Sequence, residues 1–239
     1  AMDWISEVWA RVLPESGIAL SGAPVVAVLV AALIAVAFDP LWRVLRLVVT
    51  LVHELGHASV GVLVGRRFTG FVLRGDMSGH AVTVGPAHGP GRVLTTWAGY
   101  PAPAVIGAAA IVLAVRGWSA PVLTVVLAVL VAAALRARSV LTAVVVAVAV
   151  IGGGALWWAG SPQLQAQVLI AVGVVLLVGA WRHLGAVITA PDAAASDPGV
   201  LARLTRVPRT LWNLTFVIVL AGSTWVAGRA VVTASGLLT

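Results

Sequence analysis

The 239-residue chain contains no cysteine and no lysine, and asparagine occurs once, at Asn213. Without cysteine there can be no disulfide, thiolate metal site or cysteine nucleophile, so any bound metal must rely on His and carboxylate ligands. Charge is also scarce: 10% of residues are charged and 61% hydrophobic, with a mean hydropathy of +1.07. Soluble domains carry about a quarter charged residues, so the composition excludes a soluble fold and leaves the lipid bilayer as solvent. The 15 basic residues, all Arg, outnumber 8 acidic ones for a net charge of +7, but they fall singly between apolar runs. No basic patch forms, no nucleic-acid partner is expected, and the surplus reads as a topology signal.

A spanning helix needs about 20 apolar residues at about 1.5 Å each. Such runs are predicted near Gly17–Phe38, Leu41–Gly65, Val93–Val115, Ala120–Leu135, Ser139–Ala159, Leu164–Trp181 and Thr210–Val232. The fourth is short enough to be tilted or re-entrant. The expected fold is an all-α polytopic membrane protein of six to seven transmembrane helices, one integral membrane unit over residues 1–239. With the N-terminus in the cytoplasm, Arg11, Arg66, Arg67, Arg74, Arg92, Arg136, Arg138, Arg182, Arg203, Arg206 and Arg209 lie inside. Only Arg43, Arg46, Arg116 and Arg229 lie outside, as positively charged cytoplasmic loops require. The first 17 residues carry Asp3, Glu7 and Glu15 against Arg11, so no secretory signal is expected and the first span should stay in the mature chain.

Two polar segments interrupt the apolar runs. Alternation in Arg67–Leu73 and His80–Val84, around Gly75-Asp76-Met77-Ser78-Gly79, predicts a small cytoplasmic-side β-hairpin. Pro191 to Pro198, followed by Val200–Leu204, predicts a short helix starting after Ser196 or Asp197, with Asp197 as an ordinary cap. Gly99, Pro103 and Gly107 recur every four residues, giving a smooth face for approach to Gly56 and Ala58. Gly152-Gly153-Gly154 is read as another close-packing point.

The chemistry concentrates in His53-Glu54-Leu55-Gly56-His57. Residues four apart share a helical face, so His53 and His57 can address one ion while Glu54 stands beside them to activate a water. His53 lies about 18 Å along a span begun at Leu41, well inside the hydrocarbon, where ionisable residues mark function. A catalytic zinc takes three protein ligands, so one more is required. Asp76, His80, His88, His183, Asp192 and Asp197 are the available candidates; Asp39 lies beyond the opposite end of the helix.

These blocks, with Gly65-Arg66-Arg67, Asp76-Met77-Ser78-Gly79, Trp97-Ala98-Gly99-Tyr100-Pro101-Ala102-Pro103, Ser196-Asp197 and Leu201 to Pro208, resemble the M50B-like branch of the site-2-protease-type membrane zinc metallopeptidases. The resemblance covers about Leu51 to Trp212. It implies His53 and His57 as zinc ligands, Glu54 as the catalytic base, and a third ligand from a later aspartate. Asp197 is the first choice, followed by Asp76 and then His183. The Leu-Asp-Gly element and the preceding Asn-containing stretch of site-2 proteases do not occur here.

The expected function is therefore intramembrane or juxtamembrane hydrolysis of membrane-protein or peptide substrates by a zinc-activated water. The hairpin edge offers a place to hold an unwound substrate strand. The alternative is a non-proteolytic metal-binding scaffold or transporter. A transporter would favour internal repeats, which are not visible, and a scaffold would have no need of Glu54. Arg as the sole basic residue and Ala/Val-rich spans point to a bacterial plasma membrane.

Overall fold

A computed structural model describes residues 4–15, 22–190 and 194–235. The described residues form α1 (Trp4–Val12), α2 (Ala23–Ala37), α3 (Asp39–Leu63), β1 (Arg67–Leu73), β2 (Gly79–Val84), α4 (Pro90–Trp97) and α5 (Pro101–Val115). There follow α6 (Ser119–Ala134), α7 (Val140–Ala159), α8 (Pro162–Thr189), α9 (Asp197–Thr205) and α10 (Arg209–Ser235). Proline marks many of the starts: α2, α3, α4, α5, α8 and α9 each carry one in the first two positions. There its missing N–H removes no helical bond and its fixed φ suits the turn.

Among the described residues three helices, α7, α8 and α10, are long and apolar enough to cross a membrane alone, and the number rises to five if each of two bent pairs counts as one span. The six or seven spans expected from hydropathy are therefore not confirmed among the described residues. The described part of the first run is α2, 15 residues from Ala23, and the extended Phe38 (φ −83°, ψ 108°) turns it by 98° against α3 at the boundary expected from the sequence. The described α2 is about 22 Å long, short of roughly 30 Å of hydrocarbon. The other short element is α6, with 16 residues. The predicted Val93–Val115 run is one broken path, α4 and α5 meeting at 59°.

Burial separates a central helix from peripheral ones. In α8, 61% of the most apolar window is buried, against 11% in α7, whose Val144, Val148 and Ile151 face outward as lipid-facing side chains do. The core joins Ala104, Ala108 and Ile111 of α5 to Leu177, Ala180 and Leu184 of α8, Leu201 of α9, and Phe216 and Leu220 of α10. At the α5–α8 crossing, a Cβ on Gly107 would stand 2.7 Å from the Gly173 carbonyl oxygen, and one on Gly173 2.6 Å from that of Gly107. Only two glycines permit backbones this close. Gly107 thus serves α8 rather than the motif helix, because α5 has turned away by that point. Of Gly152, Gly153 and Gly154, only Gly153 shows the expected close packing, a Cβ there standing 3.2 Å from Leu127 Cδ2, while the other two face open space.

The hairpin forms over the predicted residues, with Arg67 opposite Val84, Leu73 opposite Gly79, and a register shift between Phe68 and Gly70. Its turn is fixed by Met77 at φ 67° and by the Asp76 carboxylate, which accepts from the Ser78 N–H (2.9 Å) and hydroxyl (2.7 Å). The outer edge of β1 is closed by the α6–α7 link: Phe71 N–H donates to the Arg136 carbonyl, Arg138 N–H to that of Phe71, and Leu73 N–H to Thr142 Oγ1. Phe71 and Leu73 are buried there against Leu130 and Val146.

Candidate active site

The helix α3 presents His53 and His57 one turn apart, as their spacing dictates, with their Nε2 atoms 3.1 Å from each other. Asp197 Oδ2 lies 3.2 Å from each of these nitrogens. Asp197 opens α9, where Ser196 is the N-cap and makes no side-chain capping bond. The Asp197 side chain is directed at the histidines instead of capping its own helix. The start of α9 is steadied by Arg203, which donates to the Ala194 carbonyl, and its end by Thr205, which accepts from Trp212 Nε1.

The surroundings fix the rings. His57 Nδ1 lies 2.7 Å from the Thr95 carbonyl oxygen; that oxygen can only accept, so Nδ1 carries a hydrogen and Nε2 is the atom turned toward Asp197. His53 packs edge-on against Tyr100 at 5.0 Å, and Tyr100 stacks on Phe216 at 5.1 Å. Gly99 makes the approach of α4 possible: a Cβ there would stand 2.4 Å from His57 Nε2 and 2.6 Å from His53 Nε2. Gly56 does the same from the other side, its absent side chain leaving room for Ala102 and the Ala98 carbonyl.

Two imidazole nitrogens and a carboxylate oxygen, all electron-pair donors, thus converge on one point, and among the described residues these three form a group that could hold a metal ion. The size agrees with zinc. Ligands at about 2.0–2.1 Å from a tetrahedral ion stand about 3.3 Å from one another, close to the edges of 3.1, 3.2 and 3.2 Å seen here.

Glu54 is buried beside His53. It lines a cavity of about 470 Å³ together with His53, Tyr100, Met77, Ser78 and Gly79. A Cβ on Gly79 would stand 2.5 Å from Glu54 Oε1, so the first residue of β2 lies directly against this carboxylate.

The other sequence candidates fall elsewhere. Asp76 is held in the hairpin turn by Ser78. His183 lines the cavity with its ring against Trp42 at 6.1 Å, outside the three-residue group. His80 and His88 are exposed, Asp39 faces Arg182 at 3.8 Å, and Asp192 lies outside the described residues. Sequence reading gave Arg46 no part in the site; α3 carries it into the cavity wall. The four-residue steps from Trp42 to Arg46, Thr50 and Glu54 were the available signal.

The Peptidase M50B-like family matches residues 26–227. The chain belongs to this family. That assignment makes it a membrane protein of a peptidase family whose members are generally zinc-dependent, and the matched stretch contains the whole His53, His57 and Asp197 group. No curated protein and no solved structure matches this M50B-like chain.

Proposed function

We propose that the chain is a zinc endopeptidase that cuts membrane-protein substrates within or beside the bilayer. The observation that carries this reading is the convergence of His53 and His57 of α3 with Asp197 of α9, with Glu54 next to His53 in the chain. In this reading those three residues hold the zinc and Glu54 is the catalytic base. Zinc held there supplies Lewis acidity toward the scissile carbonyl and brings the pKa of a coordinated water to about 7. Glu54 accepts the proton of the attacking water and returns it to the leaving amine nitrogen. Thr95 keeps His57 in the tautomer that offers Nε2, as outer partners of ligand histidines do.

The strand β2 binds the substrate. A transmembrane helix must unwind before its carbonyls are accessible, and an extended segment gains main-chain bonds by adding to a sheet edge. Since β1 is covered by the α6–α7 link, β2 is the available strand, and it begins at Gly79 against Glu54. Arg66 closes its far end by donating to Thr83 Oγ1.

In this reading the chain sits in a bacterial plasma membrane, with its N-terminus in the cytoplasm and water reaching the site from that side; the all-Arg basic set and Ala/Val-rich composition support the bacterial origin. Cleavage of a tagged transmembrane substrate in liposomes tests the reading. Cleavage should vanish in E54Q and on chelation, and return when zinc is restored. Bound zinc without cleavage of any membrane substrate would instead favour a metal-binding scaffold.

A further inference from the structure

The cavity continues past Glu54. Trp42, Arg46 and Thr50 extend its α3 wall, and Arg182 and His183 of α8 stand across from them. Charge is uneven along it: Glu54 is the one acid in the lining, while Arg46 and Arg182 are its cations. Arg182 is already engaged, donating to the Val36 carbonyl at 2.6 Å, lying 3.8 Å from Asp39 and covering the Trp42 ring at 4.3 Å. Arg46 and His183 each keep a free nitrogen. Arg46 Nε and His183 Nε2 are buried without a hydrogen-bond partner. Polar nitrogens withdrawn from water cost stability until an acceptor meets them, and ionisable groups on membrane helices mark substrate paths.

We propose that this part of the cavity is a subsite for an acidic side chain of the substrate, Asp or Glu, bound by Arg46 and His183. The proposal rests on the peptidase reading above and names a substrate preference for it. A guanidinium matches a carboxylate in shape and charge, and the bond it makes is charge-assisted. Arg46 precedes His53 by seven residues on α3, about 10 Å along the axis. An extended peptide covers that distance in about three residues. The subsite therefore selects an acid about three positions from the bond that is cut, and repels a basic residue there.

Binding to full-length E54Q protein in detergent micelles tests this apart from catalysis. The probes are dye-labelled Leu/Ala octapeptides with a single Glu walked along the sequence, each paired with its Gln counterpart and read by fluorescence anisotropy. At one position the Glu peptide should bind roughly tenfold more tightly than its Gln twin, the size of a charge-assisted hydrogen bond. The preference should be lost in R46M, kept in R46K and weakened in H183L, so a misfolded R46M leaves two informative variants. Equal affinity of Glu and Gln peptides at every position, or a preference untouched by H183L and R46M, overturns the proposal. So does loss of the preference on adding phosphatidylglycerol, which would give the subsite to a lipid headgroup. Because E54Q is not turned over, inactivity of the parent leaves these affinities readable. A parent that cleaves but shows no Glu preference refutes the subsite alone.

Discussion

Gly99→Ala adds one carbon where none fits. The new Cβ would stand 2.4 Å from His57 Nε2, 2.5 Å from its Cε1 and 2.6 Å from His53 Nε2. Carbon contacts are comfortable near 3.5 Å, so something must move by about 1 Å. The α4–α5 backbone cannot take up the shift, because the Ala98 carbonyl and Ala102 are already seated against Gly56. The imidazoles must rotate instead, and both of their converging nitrogens move. Overpacking of this kind costs about 1–3 kcal/mol of stability. Displacing the ring nitrogens lowers zinc affinity by about 10–100-fold, the range seen when ligand orientation is lost. A 1 Å error at the reacting centre lowers the cleavage rate by about 100-fold. Zinc competition against a chromophoric chelator gives the first number, and initial rates on a transmembrane substrate at saturating zinc give the second. Gly152→Ala is the control, since nothing lies within 4 Å of its Cβ and alanine is the better helix former. Parental zinc affinity and rate in G99A would refute the claim that Gly99 sets the ring positions.

Glu54→Gln should lower the cleavage rate by about 100- to 10,000-fold while zinc content and thermal stability stay near the parental values, as expected for a lost proton acceptor. Thr142→Val leaves the Leu73 N–H without the hydroxyl that accepts it at 2.7 Å; denaturant unfolding in micelles should show a loss of about 1–3 kcal/mol. The Ser78 hydroxyl, and then its N–H, hold the exposed Asp76 carboxyl below the usual carboxylate range. With the folded value below the unfolded one, the turn is fully stabilised above about pH 4 and loses this support as pH falls through the lowered value. Hydrogen exchange at Ser78 should show that loss in the parent and no such pH dependence in D76N.

The parts legible in the sequence were those set by local geometry. His53 and His57 needed only a helix to meet, and alternation over Arg67–Leu73 was enough to place β1. Asp197 was named from the family resemblance, but its place beside the histidines depends on packing: 140 residues separate it from His57, and its position comes from α9 docking beside α4 and α10. The break between the first two apolar runs was legible at Phe38-Asp39-Pro40, but the 98° turn made there was not, because hydropathy marks where a run ends and not the angle at which the next helix leaves. Gly107 was assigned to the wrong neighbour because a four-residue stripe shows which face is smooth but not which helix it meets. Arg46 and His183 came together only when α3 and α8 were seen to share a cavity.

Elemental analysis of the purified protein and of H57A and D197A in one detergent addresses the central claim directly. About one zinc per chain in the parent, as a three-ligand catalytic site holds, with loss in both variants, is the predicted result. No stoichiometric metal in the parent, or full retention in D197A, would contradict it.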